Sequence, residues 1–291
     1  MNDNLRKYLW YFPRKKAHSI LHYESHNEKI DWKNPKTYDE KIRWLLVNCY
    51  GKKQTKYVDK YEAREYIKQC GLEHILIPIY GVWKSSNEIN IENLPKRFIL
   101  KANHGSGEDF YAIIKDKSNQ KLLKNELRRL DKSLKYNFAR LQCEYQYNWI
   151  KPRLIAEEYL EDGNKRISDY KILCFNGEAK YILVCSERDN GRDYFDTSWN
   201  YIPFVKKEFR SKHKILKPKN LELMIKYAEI ISKPFNFARI DFYNLNGKIY
   251  FGEITLTPAA GMNDYITHEA QLRLGNLIEI PQRKRKIKKM V

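Results

Sequence analysis

The sequence has few cysteines and no long hydrophobic run, and each absence narrows what the chain can be. Its five cysteines are odd in number, widely spaced and without a CxxC pair, which favours free thiols in a reducing compartment over a disulfide framework. No stretch approaches the roughly 18 apolar residues that cross a bilayer. The N-terminus lacks the apolar core and small-residue cleavage site of a secretory signal. We therefore expect a cytoplasmic protein.

Acidic residues are also in the minority. The 291 residues include 36 Asp and Glu and 55 Lys and Arg, which gives a formal net charge of +19. Such a surface attracts polyanions, whether nucleic acid, anionic lipid, nucleotide phosphates or acidic polysaccharide. Leu5, Tyr8, Leu9 and Phe12 would share one face of a basic helix, which either docks on its own domain or lies on the anionic inner face of a membrane.

The hydrophobic periodicity changes along the chain from helical to β-rich at Gly71. Helices are predicted over 39–47, 59–70, 121–134 and 221–231. Strands are predicted over 75–82, 98–102, 111–115, 153–159, 169–175, 180–186, 237–243 and 248–254. Asn176-Gly177 and Asn246-Gly247 each join two of these strands, which predicts two β-hairpins. Antiparallel hairpins mixed with helices indicate an α+β fold.

The strongest local feature is an apolar strand that ends in a lysine and a small-residue loop, FILKANHGSG over 98–107. Gly105 and Gly107 let backbone N–H groups approach phosphate oxygens, and Lys101 supplies a point charge. The Walker pattern requires glycine and lysine in the opposite order, which disfavours a P-loop ATPase. A plain strand that ends in a turn is the structural alternative.

Two late strands carry acidic residues, in the run ARIDFYNLNGKIYFGEITLTP over 238–258. Strand alternation places Arg239 with Asp241 on one face, and Glu253 with Thr255 on one face of the returning strand. Two carboxylates on paired strands suit Mg²⁺ that bridges phosphates. A charge pair on a solvated hairpin is the weaker alternative, because these strands are otherwise apolar.

A third feature is IAEEYLE over 155–161, an apolar strand that ends in acidic residues and could accept an adenine amino group. The three features occur in an order that resembles that of the ATP-grasp superfamily. Together with DYKILCFNGEAKYI over 169–182, they resemble the TupA-like ATP-grasp family, which is associated with teichuronopeptide and other cell-surface polysaccharide biosynthesis. The resemblance extends over roughly 38–265.

The resemblance implies an ATP-grasp fold, in which two α+β subdomains clasp ATP. With it we expect a short, mostly helical region over 1–55 and a part over 56–165 that holds the lysine strand and the glycine-rich loop. A subdomain with a metal site would follow over 166–275, and a basic tail over 276–291.

The resemblance also implies the residues that bind ATP. Two lysines grip the phosphates, a loop folds over them, a hinge holds adenine and an acidic residue binds ribose. The residues at the matching positions, with one further phosphate contact, are Lys60, Lys101, His104, Gly105, Ser106, Gly107, Glu157, Glu158, Tyr159, Leu160, Asp169 and Lys171.

Two Mg²⁺ ions are implied as well, with Asp241, Glu253 and Thr255 as ligands. Thr255 stands where the family usually has Asn, so its hydroxyl or a water would complete the site. The implied catalytic residues neutralise charge on the transferred phosphate and the oxyanion. They are Arg239, Lys101, Lys171 and Arg188, with Arg192 as a further candidate for a phosphate or substrate contact.

The implied activity is ATP-dependent ligation of a carboxylate to an amine through an acylphosphate. We expect a uronic acid or glycan as the carboxylate, an amino acid or other amine as its partner, and no nucleic acid. A glycosyltransferase is an alternative, but the sequence contains no Asp-x-Asp motif. A basic nucleic-acid-binding module is another, and the dispersed basic residues disfavour it.

Overall fold

The computed structural model describes residues 6–161, 167–186, 189 and 191–281, and it confirms the α+β fold. The α-helices are α1 (Arg14–His26), α2 (Tyr38–Asn48), α3 (Thr55–Val58), α4 (Ala63–Gln69), α5 (Gln120–Leu134), α6 (Leu221–Ser232) and α7 (His268–Leu277). The strands are β1 (Ile79–Trp83), β2 (Phe98–Ala102), β3 (Tyr111–Ile114), β4 (Leu154–Glu158), β5 (Asp169–Phe175), β6 (Glu178–Cys185), β7 (Arg192–Asp196), β8 (Tyr201–Ile202), β9 (Phe237–Leu245) and β10 (Lys248–Thr255).

The smaller sheet has the strand order β1-β4-β2-β3, and neighbouring strands are antiparallel. Phe98, Leu100 and Ala102 of β2 are buried beneath α5, which contributes Leu123 and Leu130 to the same apolar cluster. Because side chains alternate along a strand, the remaining β2 side chains point to the opposite face. Lys101 is therefore directed away from this core.

The larger sheet has the strand order β10-β9-β5-β6-β7-β8 and contains both predicted hairpins. The connections at Asn176-Gly177 and Asn246-Gly247 have positive φ at both residues, as a type I′ turn requires. The helices α1 and α2 pack into the same core as this sheet, with Leu21 and Ile42 in the cluster. The N-terminal helices thus extend the larger core rather than form a core of their own.

The prediction of a helix over 59–70 was too long, because α4 begins only at Ala63. The Asp59 carboxylate accepts a hydrogen bond from the backbone N–H of Tyr61 (2.8 Å) and from the side-chain amide of Asn103 (2.9 Å). Asp and Asn side chains that bind nearby backbone groups favour turns over helices. Lys60 consequently lies in a turn beside the loop that follows β2.

A buried polar cluster joins α2 to the loop that follows β10. The Asp39 carboxylate accepts hydrogen bonds from the backbone N–H of Asn263 (2.9 Å) and the amide of Gln271 (2.6 Å), and Arg43 Nε donates to Gly261 O (3.1 Å). In this loop Ala259, Ala260 and Gly261 have φ of 48°, 52° and 72°. Positive φ is uncommon for alanine, so the cluster holds a strained loop in place.

Glu144 lies beside the same loop and is buried. The hydroxyl of Thr257 donates a hydrogen bond to its Oε1 (2.5 Å), and Gln146 Nε2 donates to that hydroxyl (2.9 Å). Burial raises the pKa of Glu144 from 4.5 to about 7, although Thr257 and Arg43 act in the opposite direction. The carboxyl group therefore carries a proton in the folded protein under mildly acidic conditions.

We predict that Glu144→Gln reduces the loss of stability that occurs as the pH rises from about 4.5 to about 7. A carboxyl with a raised pKa stabilises the fold fully below its unfolded pKa, and this contribution disappears as the pH rises through the folded value. For Glu144 the window is pH 4.5 to about 7, and the effect is about 3 kcal/mol. Glutamine stays neutral, so thermal unfolding of the variant should depend less on pH between 5 and 8.

The exposed residue Glu208 provides the control, because Glu208→Gln alters a carboxyl group in solvent. Its unfolding temperature should follow the wild-type pH profile. A Glu144→Gln protein with that same profile would contradict the raised pKa of Glu144.

Candidate functional site

A cavity of about 300 Å³ lies between the two sheets, and its walls come from both. The smaller sheet and its loop form one wall, and β5, β9 and β10 form the other. The predicted site residues that line it are Lys60, Lys101, Gly105, Ser106, Gly107, Glu157, Glu158, Tyr159, Leu160, Asp169, Lys171, Asp241 and Glu253. Residues far apart in the sequence thus meet in one cavity.

A β-bulge at Gly252 brings the two acidic residues together. Near the turn, Phe251 pairs with Phe242, but beyond Gly252 the register shifts so that Glu253 pairs with Asp241 and Thr255 with Arg239. Without the extra residue Glu253 would stand opposite Ile240 and point to the other face of the sheet. A Cβ on Gly252 would lie 3.0 Å from the carbonyl oxygen of Asp241, so glycine fits the close approach of the two strands.

Two cations hold the carboxylate of Asp241, which is only 3% exposed. Arg239 Nε and Nη2 each lie 2.7 Å from one of its oxygens, and Lys171 Nζ lies 2.7 Å from Oδ2. Lys171 also contacts the carboxylate of Asp169. Burial alone would lower the pKa of Lys171, but Asp241 and Asp169 outweigh it and raise that pKa. Lys171 therefore remains charged between two carboxylates.

Glu253 is held by a second set of partners. Lys60 Nζ lies 3.1 Å from its Oε2, Arg239 Nη2 lies 3.2 Å from Oε1, and the Thr255 hydroxyl donates to Oε1 at 3.0 Å. Burial would raise the pKa of this carboxyl, but Lys60, Arg239 and Lys171 together hold it well below its usual range. Asp241 and Glu253 thus share one cationic environment that contains Arg239.

Lys60 connects the two walls of the cavity. Its ammonium group contacts Glu253 on the larger sheet and donates to the carbonyl oxygen of Gly105 (2.9 Å) in the loop after β2. Lys101, on the smaller sheet, pairs with Glu157 Oε2 at 2.5 Å. Both lysines are therefore directed into the cavity, where an anionic ligand could exchange with their present carboxylate partners.

Among the described residues, Arg239 and Thr255 contact Glu253 without lining the cavity, and two other predicted residues lie away from it. The ring of His104 is buried behind the loop, where Nε2 contacts the carbonyl oxygens of Ser133 and Tyr136, both at 3.2 Å, so this imidazole does not line the cavity. Arg192 stacks on the ring of Tyr265, 4.9 Å from its centroid. Arg188 lies outside the described residues.

An apolar portion of the cavity wall was not among the predicted residues. Ile77, Ile99 and Ile113 line it from the smaller sheet and the segment before β1, and Ile167 and Tyr243 line it from the other side. The sequence could have indicated Ile99, because its position between the buried residues of β2 directs its side chain to the same face as Lys101. The cavity wall therefore has an apolar part, formed by these residues and called the apolar slot below. It also has a charged part around Lys60, Asp241 and Glu253, called the charged end.

The charged end offers oxygen donors that suit a divalent cation. Asp241 and Glu253 contribute carboxylates on adjacent strands, and the Thr255 hydroxyl lies beside them. Within the described ranges, no group of three or more His, Cys, Asp or Glu side chains forms a self-contained metal site. One or two carboxylates with phosphate and water oxygens is the usual arrangement for Mg²⁺, so these residues fit that ion.

A family model described as TupA-like ATPgrasp matches residues 40–279 of the chain. No curated protein matches it in sequence. Among solved structures, the L-amino acid ligase from Bacillus licheniformis aligns with a TM-score of 0.51 and 11% identity, and the alignment covers 92% of this chain and 63% of that chain.

Two other solved structures are similar at lower TM-scores. For D-alanine--D-alanine ligase from Bacillus anthracis the TM-score is 0.48 and the identity 14%, over 81% of this chain and 67% of that chain. For N5-carboxyaminoimidazole synthetase from Staphylococcus aureus complexed with ADP the TM-score is 0.43 and the identity 14%, over 83% of this chain and 54% of that chain. At such low identities the similarity concerns the fold alone. The alignment with the L-amino acid ligase shows that this chain shares that enzyme's fold.

We predict that Lys171→Met lowers the free energy of unfolding by about 3–5 kcal/mol, because it removes one of the two cations that hold the buried carboxylate of Asp241. Urea denaturation measures the loss. Adding Asp241→Asn to this variant should restore part of it, since the charge that Lys171 no longer neutralises is then absent.

The matched control is Lys180→Met, because Lys180 pairs with Glu178 on an exposed part of β6. An exposed pair contributes at most about 1 kcal/mol. Equal losses in the two variants would mean that Lys171 does not stabilise the buried carboxylate of Asp241.

Proposed function

The chain belongs to the TupA-like ATP-grasp family and is an ADP-forming ligase, and on that basis we propose that it activates a substrate carboxylate with ATP and joins it to an amine. The observation that carries this proposal is the convergence of Lys60 and Lys101 with Asp241 and Glu253 on one cavity. Cations on one side and acidic oxygens on the other are what a Mg²⁺-bound triphosphate requires.

In the proposed complex, the lysines bind the phosphates and the loop over 103–107 covers them with backbone N–H groups. Asp241, Glu253 and Thr255 would hold Mg²⁺, which when bound neutralises phosphate charge and orients the terminal phosphate. The release of Lys60 from Glu253, now 3.1 Å away, frees both groups for the nucleotide.

The apolar slot accommodates the adenine ring. Ile77, Ile99 and Ile167 line it, and the segment from Glu158 to Leu160 forms its edge. Burial between aliphatic side chains stabilises the bound adenine ring, and backbone carbonyl groups of the edge can accept a hydrogen bond from its amino group. Asp169 lines the same cavity and contacts Lys171, which suits a contact with the ribose hydroxyls.

The reaction proceeds in two displacements. A carboxylate oxygen of the substrate attacks the γ-phosphorus, the bond to the β,γ-bridging oxygen breaks, and ADP leaves. The amine then attacks the acyl carbon of the acylphosphate, inorganic phosphate leaves, and a proton is lost from the nitrogen. Arg239, which contacts Asp241 and Glu253, would stabilise negative charge on the transferred phosphate and on the tetrahedral oxyanion.

We propose that the carboxylate belongs to a uronic acid of a cell-surface polysaccharide or its precursor, and that the amine is an amino acid. Two observations support this: the relation to the TupA-like family and the net charge of +19, which attracts acidic glycans. Because ATP is a cytoplasmic substrate, the reaction belongs in the cytoplasm. Among the described residues, no helix has the length and apolar character needed to span a bilayer.

The reaction class is tested by ADP release with Mg²⁺, ATP and a panel of uronic acids and their oligomers, each with and without amino acids. We expect repeated turnover only when a carboxylate and an amine are both present. ADP production that does not depend on a carboxylate would contradict the proposed ligase reaction.

With the substrate pair found in that panel, Asp241→Asn and Glu253→Gln should each reduce ADP formation by at least about a hundredfold, because each removes a charge that the metal–triphosphate complex needs. Near-UV circular dichroism checks that the fold is retained. Asp264→Asn, at an exposed carboxylate, should keep wild-type activity. Full turnover by either of the first two variants would remove the metal assignment.

A further inference from the structure

A second cavity opens on the other side of the turn that carries Lys60. Its volume is about 710 Å³, and it is lined by the segment 52–57, by residues before β4 and by Phe235. Asp59 and Glu62 reach its wall, whereas Lys60 between them lines the nucleotide cavity. The two cavities are therefore separated by a single turn of the chain.

The wall of this second cavity is strongly basic. Five cationic side chains line it: Lys52, Lys53, Lys56, Lys151 and Arg153. Its two acidic side chains are already engaged, because Asp59 binds Asn103 and the N–H of Tyr61, and Glu62 lies 3.4 Å from Arg153. No carboxylate of the described ranges forms an ion pair with the four lysines. Their charge is left for a ligand that carries several anionic groups.

Aromatic rings accompany these charges. Trp149 is 39% exposed and Tyr57 and Phe235 lie in the same wall. A ring of this size that stays exposed in a cavity offers a flat apolar platform. The C–H face of a sugar ring packs on such a platform, while lysines nearby pair with carboxylates on the ring edge. An extended acidic peptide gains the charge contacts but has no such rigid face.

The size of the cavity argues against nucleic acid as its ligand. Specific nucleic-acid interfaces bury on the order of 1,000 Å² or more of protein surface, whereas this cavity holds only a few sugar rings. Its position also matters, because the turn that forms part of its wall through Asp59 and Glu62 carries Lys60, whose ammonium group contacts Glu253 in the nucleotide cavity.

We propose that this cavity is the acceptor site and binds an acidic oligosaccharide, with Trp149 beneath one ring and the four lysines on its carboxylates. The inference rests on the proposed function, since a carboxylate ligase needs a carboxylate-bearing substrate. It adds to that function a location for the acceptor and a reason for selectivity among polyanions.

The test is calorimetric binding of oligogalacturonate to the full chain, in parallel with binding of a non-hydrolysable ATP analogue with Mg²⁺. Trp149→Ala should weaken oligogalacturonate binding about tenfold or more. The double variant Lys53→Glu/Lys56→Glu should weaken it by at least about tenfold and flatten its salt dependence. Affinity for the ATP analogue should stay within about twofold in both, because neither change touches the nucleotide cavity.

The matched control is Lys121→Glu/Lys124→Glu, an equal charge reversal at two exposed positions of α5, and it should bind both ligands as the wild type does. Methyl-esterified oligogalacturonate, which keeps the rings but loses the charges, should bind at least about tenfold more weakly. Poly-glutamate and a short DNA duplex should also bind more weakly, and Trp149→Ala should not affect them.

Wild-type affinity for oligogalacturonate in both cavity variants would overturn the proposal, and so would equal binding of poly-glutamate or DNA. These results are distinct from failure of the proposed function. If the ATP analogue does not bind while oligogalacturonate binds in a Trp149-dependent way, the ligase assignment fails and the saccharide site stands.

Discussion

The buried carboxylate of Asp241, held between Lys171 and Arg239, is the contact on which the site depends. A carboxylate with so little exposure is stable only with cations beside it, and these cations extend the network to Asp169 and Glu253. The result is a set of alternating charges that is nearly balanced without ligand. A metal–triphosphate complex, itself a cation and an anion, can enter such a network by exchanging partners rather than by creating unpaired charge.

Much of the fold was predictable because local chemistry decides it. The Asn-Gly turns fix both hairpins, and strand alternation correctly directs Lys101 away from the core. The pairing of Asp241 with Glu253 was harder, since a regular hairpin from Asn246-Gly247 would put them on opposite faces. The bulge at Gly252 corrects this, and a lone glycine in a strand only hints at a bulge.

Other features depend on contacts between segments that are distant in the sequence, so local sequence patterns could not predict them. Lys60 lies in a turn rather than a helix because Asp59 binds Asn103, more than forty residues away. The His104 ring points away from the cavity because its Nε2 hydrogen-bonds to two backbone carbonyl oxygens near the end of α5. The basic cavity around Trp149 gathers three separate segments, so neither its charge nor its aromatic wall forms a motif in the sequence.

The proposed reaction requires that both sheets bind one nucleotide. Hydrogen–deuterium exchange with Mg²⁺ and a non-hydrolysable ATP analogue tests it most directly, because it reports on each wall separately in the unmodified protein. We expect the analogue to slow exchange in the loop over 103–110, in the segment 157–161 and around the bulge at Gly252 together. Protection confined to one sheet, or exchange unchanged in all three segments, would contradict it.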